Sequence, residues 1–242
     1  MKKTVCLVLL LWVFSATAET VSYQLNGQNY EGFYTSAKDN APLIVLLHDW
    51  DGLTEYEIQR AQMLAQQGYA VFAADLFGAG IRPMENADKR QHTGELYKNR
   101  AKMRSLIQAA FLKAGELGAD KGNAVVMGYC FGGAAVLEAA RSGADYKGFV
   151  SFHGGLKTPE GQDYSQTQGE ILILHGAADH HISMTDFAQI GVELEAQDIT
   201  YEMIAYGGAR HAFTVLGSDR YHAEADRKSW QRFMSFLEHT LK

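Results

Sequence analysis

The run Leu43–Leu47, LIVLL, contains no polar residue. A strand with one wet face alternates apolar and polar residues, so an unbroken apolar run of this length is expected where a strand is buried on both faces. Further strand patterns stand at Tyr69–Ala74, Ala124–Tyr129, Gly148–Phe152, Ile171–Leu174 and Thr200–Ala205, with helical patterns between them. Thr54-Glu55-Tyr56-Glu57 has the form of a capping box, Ile58, Ala61, Leu64 and Ala65 supply one apolar face, and Gly68 marks the end. Leu96 to Phe111 reads as a long helix broken near its start, Phe131–Arg141 as a helix closed by Gly143, and Ser183 with Asp186 opens another. Trp230, Phe233, Met234 and Leu237 form the apolar face of a C-terminal helix. Ahead of all this, Val21–Leu25 and Tyr30–Tyr34 flank Asn26-Gly27, a hairpin signal. Strand and helix alternating in this way predict an α/β domain, a mainly parallel sheet with helices on both faces. In such sheets ligands bind beyond the carboxyl ends of the strands.

The first 18 residues follow a different logic. Lys2 and Lys3 precede an apolar run from Val5 to Phe14, and Ala16-Thr17-Ala18 places small residues at a cleavage position before Glu19. This is the three-part pattern of a secretory signal peptide. We therefore expect residues 1–18 to be a signal peptide and residues 19–242 a single domain. The protein is expected to be exported, to the periplasm if the source is a Gram-negative bacterium. Cleavage would remove Lys2, Lys3 and Cys6, making the formal net charge of −6 two units more negative and leaving Cys130 as the only thiol. A lone cysteine in an oxidising compartment forms no internal disulfide and is either a buried hydrophobe or a reactive group. The acidic balance excludes the basic footprint of a nucleic-acid binder, and no apolar run is long enough for a stable membrane span.

Chemistry-bearing residues fall just past predicted strands. Gly128-Tyr129-Cys130-Phe131-Gly132-Gly133 matches the G-x-S-x-G strand-to-helix turn of hydrolases with cysteine in the serine position. The glycines let the turn close, and the following helix N-terminus favours a thiolate at Cys130. His175-Gly176-Ala177-Ala178-Asp179 follows the Ile171–Leu174 strand, and Gly207-Gly208-Ala209-Arg210-His211 follows the last one. Cys130, Asp179 and His211 thus come in the nucleophile–acid–base order of an α/β-hydrolase fold. His211 would take the thiol proton and Asp179 would hold its other nitrogen. His48-Asp49-Trp50-Asp51-Gly52 follows Leu43–Leu47, where this fold draws one oxyanion-hole N–H; Trp50 is the expected donor, with Phe131 as the second. His153 and His175 end strands beside these loops and are candidates for the pocket wall. His180-His181 lacks metal-ligand spacing, and no motif calls for a cofactor.

These segments, with Ala212-Phe213 after His211 and Ala223–Trp230 near the C-terminus, resemble the dienelactone hydrolases from about Pro42 onward. The resemblance implies an α/β-hydrolase fold and hydrolysis of a small-molecule carboxylic ester or lactone through an acyl-cysteine. It also implies two departures. The family usually carries glutamate where Asp49 stands, a carboxylate thought to help activate the cysteine. Better-known members hold a substrate carboxylate with an arginine four residues after the catalytic histidine, where this chain has Val215. A less acidic ester is therefore expected, with Arg82, Arg90 and Arg100 as candidate replacements. The alternative is a ligand-binding protein without catalysis on the same fold; burial of Cys130 with no pocket beside it would favour it.

Overall fold

The computed structural model describes residues 17–241. The expected signal peptide lies outside the described residues, apart from Thr17 and Ala18. Those two begin strand β1 (Thr17–Leu25), which pairs antiparallel with β2 (Gln28–Ser36). Asn26 and Gly27 join them with φ of 51° and 78°, the left-handed pair that a two-residue hairpin requires. The remaining strands are β3 (Pro42–Leu47), β4 (Ala70–Ala74), β5 (Asp120–Tyr129), β6 (Gly148–Phe152), β7 (Glu170–Gly176) and β8 (Tyr201–Tyr206). The sheet order is β1-β2-β4-β3-β5-β6-β7-β8, and every neighbouring pair from β4 to β8 is parallel.

The period-2 rule divides each apolar run between two cores. Leu43, Val45, Leu47, Phe72 and Val126 face one side, against Met103, Leu106, Ile107 and Ala110 of helix α3 (Arg100–Glu116) and Ala135 and Val136 of α4 (Phe131–Arg141). Ile190 and Leu194 of α5 (Met184–Glu195) close the same side over Ile171 and Ile173. Ile44, Leu46, Val71, Val125 and Met127 face the other side, against Ala61 and Leu64 of α1 (Glu55–Ala65) and Phe233, Phe236 and Leu237 of α6 (Ala223–Thr240). Both faces are therefore covered, which is why LIVLL needs no polar residue.

The expected long helix is two, α2 (Asn86–Lys98) and α3, and the break falls at Asn99. Asn99 leaves helical geometry (φ −119°, ψ 71°), and its side chain accepts the Lys102 N–H at 3.0 Å to cap α3. Thr54 and Glu57 make the predicted capping box of α1, and Ser183 and Asp186 make that of α5. The parallel order sends the carboxyl ends of β3, β5, β7 and β8 to one edge of the sheet. The loops bearing Asp49, Cys130, Asp179 and His211 are brought there together.

Candidate active site

The turn after β5 is built by close approach. A Cβ at Gly128 would collide with the Gly132 carbonyl, and one at Gly132 would collide with the Leu47 carbonyl. A Cβ at Gly133 would stand 2.7 Å from Ser151 Oγ. Glycine is thus required for α4 to start directly above the strands. Between these glycines Cys130 takes φ 51° and ψ −110°, a conformation costing about 1–3 kcal/mol for a residue with a side chain and kept where the surroundings over-determine it.

The strain aims Cys130 Sγ at His211 Nε2, 3.1 Å away. His211 Nδ1 lies 2.7 Å from Asp179 Oδ2. Asp179 Oδ1 in turn accepts the N–H groups of His181 (2.7 Å) and Ile182 (3.0 Å). Burial alone would raise the Asp179 carboxyl, but the His211 hydrogen bond and charge, helped by those N–H groups, outweigh it and hold the group at about 2. Asp179 is therefore a fixed anion at neutral pH. It orients the His211 ring so that Nδ1 carries a proton and Nε2 faces sulfur with a lone pair.

Cys130 departs from the expected thiolate. Burial pushes its thiol well above the ordinary value, and the Asp49 charge pushes it further; the Phe131 N–H and the Arg220 guanidinium pull the other way and lose. Desolvation of sulfur outweighs the helix N-terminus, so the resting group is a thiol.

Asp49 is buried beside this thiol, and its Oδ1 accepts the Asp51 N–H at 3.1 Å. Its own N–H reaches Glu57 Oε1 at 3.3 Å. Carboxylate oxygens of Asp49, Asp51 and Glu57 come within 4.8 Å of one another. Burial raises Asp49 well above the usual carboxylate range, with Asp51 and Glu57 adding to it. Burial likewise takes Glu57 to about 7 against the donors of Thr54. This cluster is the one group among the described residues whose oxygens could surround a cation. Thr54 N–H (2.9 Å) and Oγ1 (2.8 Å) already donate to Glu57, and Lys89 Nζ stands 3.7 Å from Asp51.

Asp49, Trp50, Cys130, His181, His211, Ala212 and Arg220 line a cavity of about 190 Å³. That size suits a compact acyl group or ring rather than a long chain. The Trp50 ring is held by Lys89, whose Nζ lies 5.2 Å from the ring centroid. The Phe131 ring packs inward against Phe77 and Tyr97, and its backbone N–H favours a negative sulfur. A cavity at Cys130 removes the condition set for the purely ligand-binding alternative.

Other expectations need correction. His153 and His175 are fully buried and do not line the cavity. His153 lies behind the Cys130 backbone, while His175 stacks on Phe187 beneath α5 at 5.3 Å. Arg82 and Arg100 are committed elsewhere, to Glu31 (2.9 Å) and Glu138 (2.9 Å), and Arg90 stands on α2 away from the wall. The arginine that does line the cavity is Arg220, from the irregular segment before α6. It has no periodic or motif context, so nothing in the sequence marked it. His181 is a wall residue, its ring edge-on to His211 at 5.3 Å.

The chain can now be set beside known proteins. It is 27% identical over 213 residues to a probable 2-oxo-3-(5-oxofuran-2-ylidene)propanoate lactonase of Bradyrhizobium sp., covering 81% of this chain and 83% of that one. The solved structure of m3DLH matches with a TM-score of 0.89 at 26% identity, over 94% of this chain and 99% of that one. A dienelactone hydrolase-like promiscuous phosphotriesterase from metagenomic libraries matches with a TM-score of 0.87 at 28% identity, again over 94% and 99%. The family model for the dienelactone hydrolase family matches residues 31–241. With that match running from β2 through α6, the chain belongs to the dienelactone hydrolase family and is a carboxylic ester hydrolase of α/β-hydrolase fold.

Proposed function

We propose that the protein hydrolyses a small carboxylic ester or lactone by nucleophilic attack of Cys130, with His211 as base and Asp179 as its orienting acid. The observation that carries the reading is the unbroken line Sγ–Nε2 (3.1 Å) and Nδ1–Oδ2 (2.7 Å), ending in the cavity wall. As sulfur bonds to the substrate carbonyl carbon, its proton passes to His211 Nε2 and the C=O pair moves to oxygen. The oxyanion is held by the N–H groups of Phe131 and Trp50, each worth roughly 3–4 kcal/mol in the transition state. When the C=O re-forms, the bond to the ester oxygen breaks and the leaving alkoxide takes the Nε2 proton. Water then attacks the acyl-cysteine while His211 receives its proton. Collapse of that intermediate releases the carboxylic acid and returns the proton to sulfur.

Because the resting thiol is protonated, the proton transfer accompanies attack. Asp49 has a place in that scheme: in its ionised form its charge opposes a thiolate, so sulfur stays protonated until substrate arrives and is protected from oxidation. Arg220 gives an anionic part of a substrate a counter-charge in the cavity, which the Val215 position does not. Residues 1–18 act as an export signal in this reading, and residues 19–242 as the working domain, in the periplasm if the host is Gram-negative. The test is hydrolysis of aryl esters, lactones and enol lactones by wild type and Cys130→Ala. The reading expects turnover that the variant lacks; equal turnover by both refutes it.

A further inference from the structure

His153 is one of three buried histidines, with His48 and His175, that the scheme above does not use, and its surroundings are unusually specific. It follows β6 directly with φ of 40°, a left-handed conformation uncommon for a residue with a Cβ. The Cys130 N–H is shared between Phe152 O at 3.0 Å and His153 Nδ1 at 3.2 Å. An accepting Nδ1 on a neutral ring leaves the proton on Nε2. Nε2 therefore donates to Thr214 Oγ1, 2.9 Å away. The Thr214 hydroxyl also shares a hydrogen bond with the Tyr56 hydroxyl at 2.7 Å, in which either oxygen can donate.

These contacts join four elements. Tyr56 is on α1, Thr214 is three residues beyond His211 on the same loop, His153 stands just past β6, and Cys130 is the turn between β5 and α4. The Thr214 backbone is tied down independently: Arg60 Nη2 donates to its carbonyl at 2.8 Å and to Asp226 Oδ1 at 2.7 Å. One imidazole thus touches both the backbone that aims the sulfur and the loop that carries His211. Its ring is also edge-on to the His211 ring, with centroids 5.4 Å apart.

We propose that His153, locked by Thr214, is a positioning residue that sets the Cys130 Sγ to His211 Nε2 separation. The inference rests on the nucleophilic reading of Cys130. Burial, and next the charge of His211, hold His153 well below the ordinary histidine range, so it stays neutral when His211 becomes cationic. A charged ring here would lose the Nδ1 lone pair that receives the Cys130 N–H. It would also repel the imidazolium that forms during attack. The Thr214 methyl fills space and its hydroxyl makes the link, so the two functions separate by substitution.

Thr214→Val keeps the shape and deletes the hydroxyl, while Thr214→Ser keeps the hydroxyl. The proposal expects Thr214→Val to lose about 10–100-fold in kcat with little change in KM, because a sub-ångström misplacement of reacting groups has costs of that order. Thr214→Ser should stay near wild type. His153→Phe should lose as much, and adding Thr214→Val to it should cost little more, since both cut one link. The pH profile of Cys130 alkylation should shift in Thr214→Val and not in Thr214→Ser. Should His153→Phe fail to fold, the Val and Ser pair decides alone. Unchanged kcat in Thr214→Val, or equal losses in the Val and Ser variants, overturns the positioning role. A wild type whose turnover does not depend on Cys130 instead overturns the reading on which it rests, so the two failures are distinguishable.

Discussion

At the scale of residues, opposing charges meet at the Cys130 sulfur. Burial and Asp49 hold the Cys130 thiol protonated, while the Phe131 N–H and Arg220 favour the thiolate. Asp49→Asn removes the repelling charge and keeps the shape. Iodoacetamide should then label Cys130 faster than in wild type at any pH where wild-type Asp49 is ionised, with slower ester turnover; superimposable pH–rate curves for labelling would leave Asp49 as a turn residue. Cys130→Ser places a hydroxyl, a far weaker acid than a thiol, in a site that already disfavours ionisation; kcat should fall by about 10²-fold or more with the fold retained, as circular dichroism and steady-state kinetics would show. Cys130, Asp179 and His211 were legible because each stands at a fixed offset past a strand, and motif order constrains them jointly. Arg220 and His153 were not. Arg220 lies in an irregular segment, and the part His153 plays depends on Thr214 and Tyr56, which are 61 and 97 positions away in the chain.

At the scale of elements, caps and apolar runs were the readable features. Phe131–Arg141 and Gly148–Phe152 have the bounds their patterns imply, because glycines and β-branched or aromatic residues mark their ends. The break expected near the start of the Leu96–Phe111 pattern falls at Asn99, whose side chain caps α3; its position was set by that cap and not by the apolar spacing, which continues past it. Glu57 has a second consequence beyond capping α1. Its folded value of about 7 lies above the ordinary 4.5, and Asp49 is raised in the same sense. Between those values the folded chain holds a proton that the unfolded chain has released, so stability is full below about pH 4.5 and falls as pH rises toward 7. Glu57→Gln keeps a capping side chain and cannot ionise. Urea unfolding at about pH 5 and about pH 8 should show a smaller drop for the variant than for wild type, the size of the drop following from the protons released; parallel drops would assign the pH dependence elsewhere.

At the scale of the molecule, the sheet is a platform with both faces covered, and its carboxyl edge carries the loops of Asp49, Cys130, Asp179 and His211. Helices α3 and α4 are tied over one face by Glu138, which is fully buried and accepts from Arg100 (2.9 Å) and Arg141 (3.0 Å), with Arg104 also paired. Glu138→Ala would leave the buried Arg141 guanidinium with Gln162 and Tyr164 but no carboxylate counter-charge, and should destabilise the fold by about 3–5 kcal/mol, measured by chemical denaturation. A loss below about 1 kcal/mol would mean that water reaches Arg141 and the knot is exposed in solution. The fold class was legible because strand and helix alternate with little ambiguity. The joining of the antiparallel β1–β2 hairpin to the parallel sheet was not, since it depends on β2 pairing with β4. The account of this platform rests on a covalent intermediate at Cys130. The direct measurement is mass spectrometry of the protein acid-quenched during its first turnovers of an activated acetate ester. The account predicts one acetyl group on the peptide containing Cys130, absent from Cys130→Ala, and accumulating further in His211→Ala if attack still occurs there. Turnover at the wild-type rate with no acetyl group at Cys130, or with the group on another residue in both proteins, would contradict it.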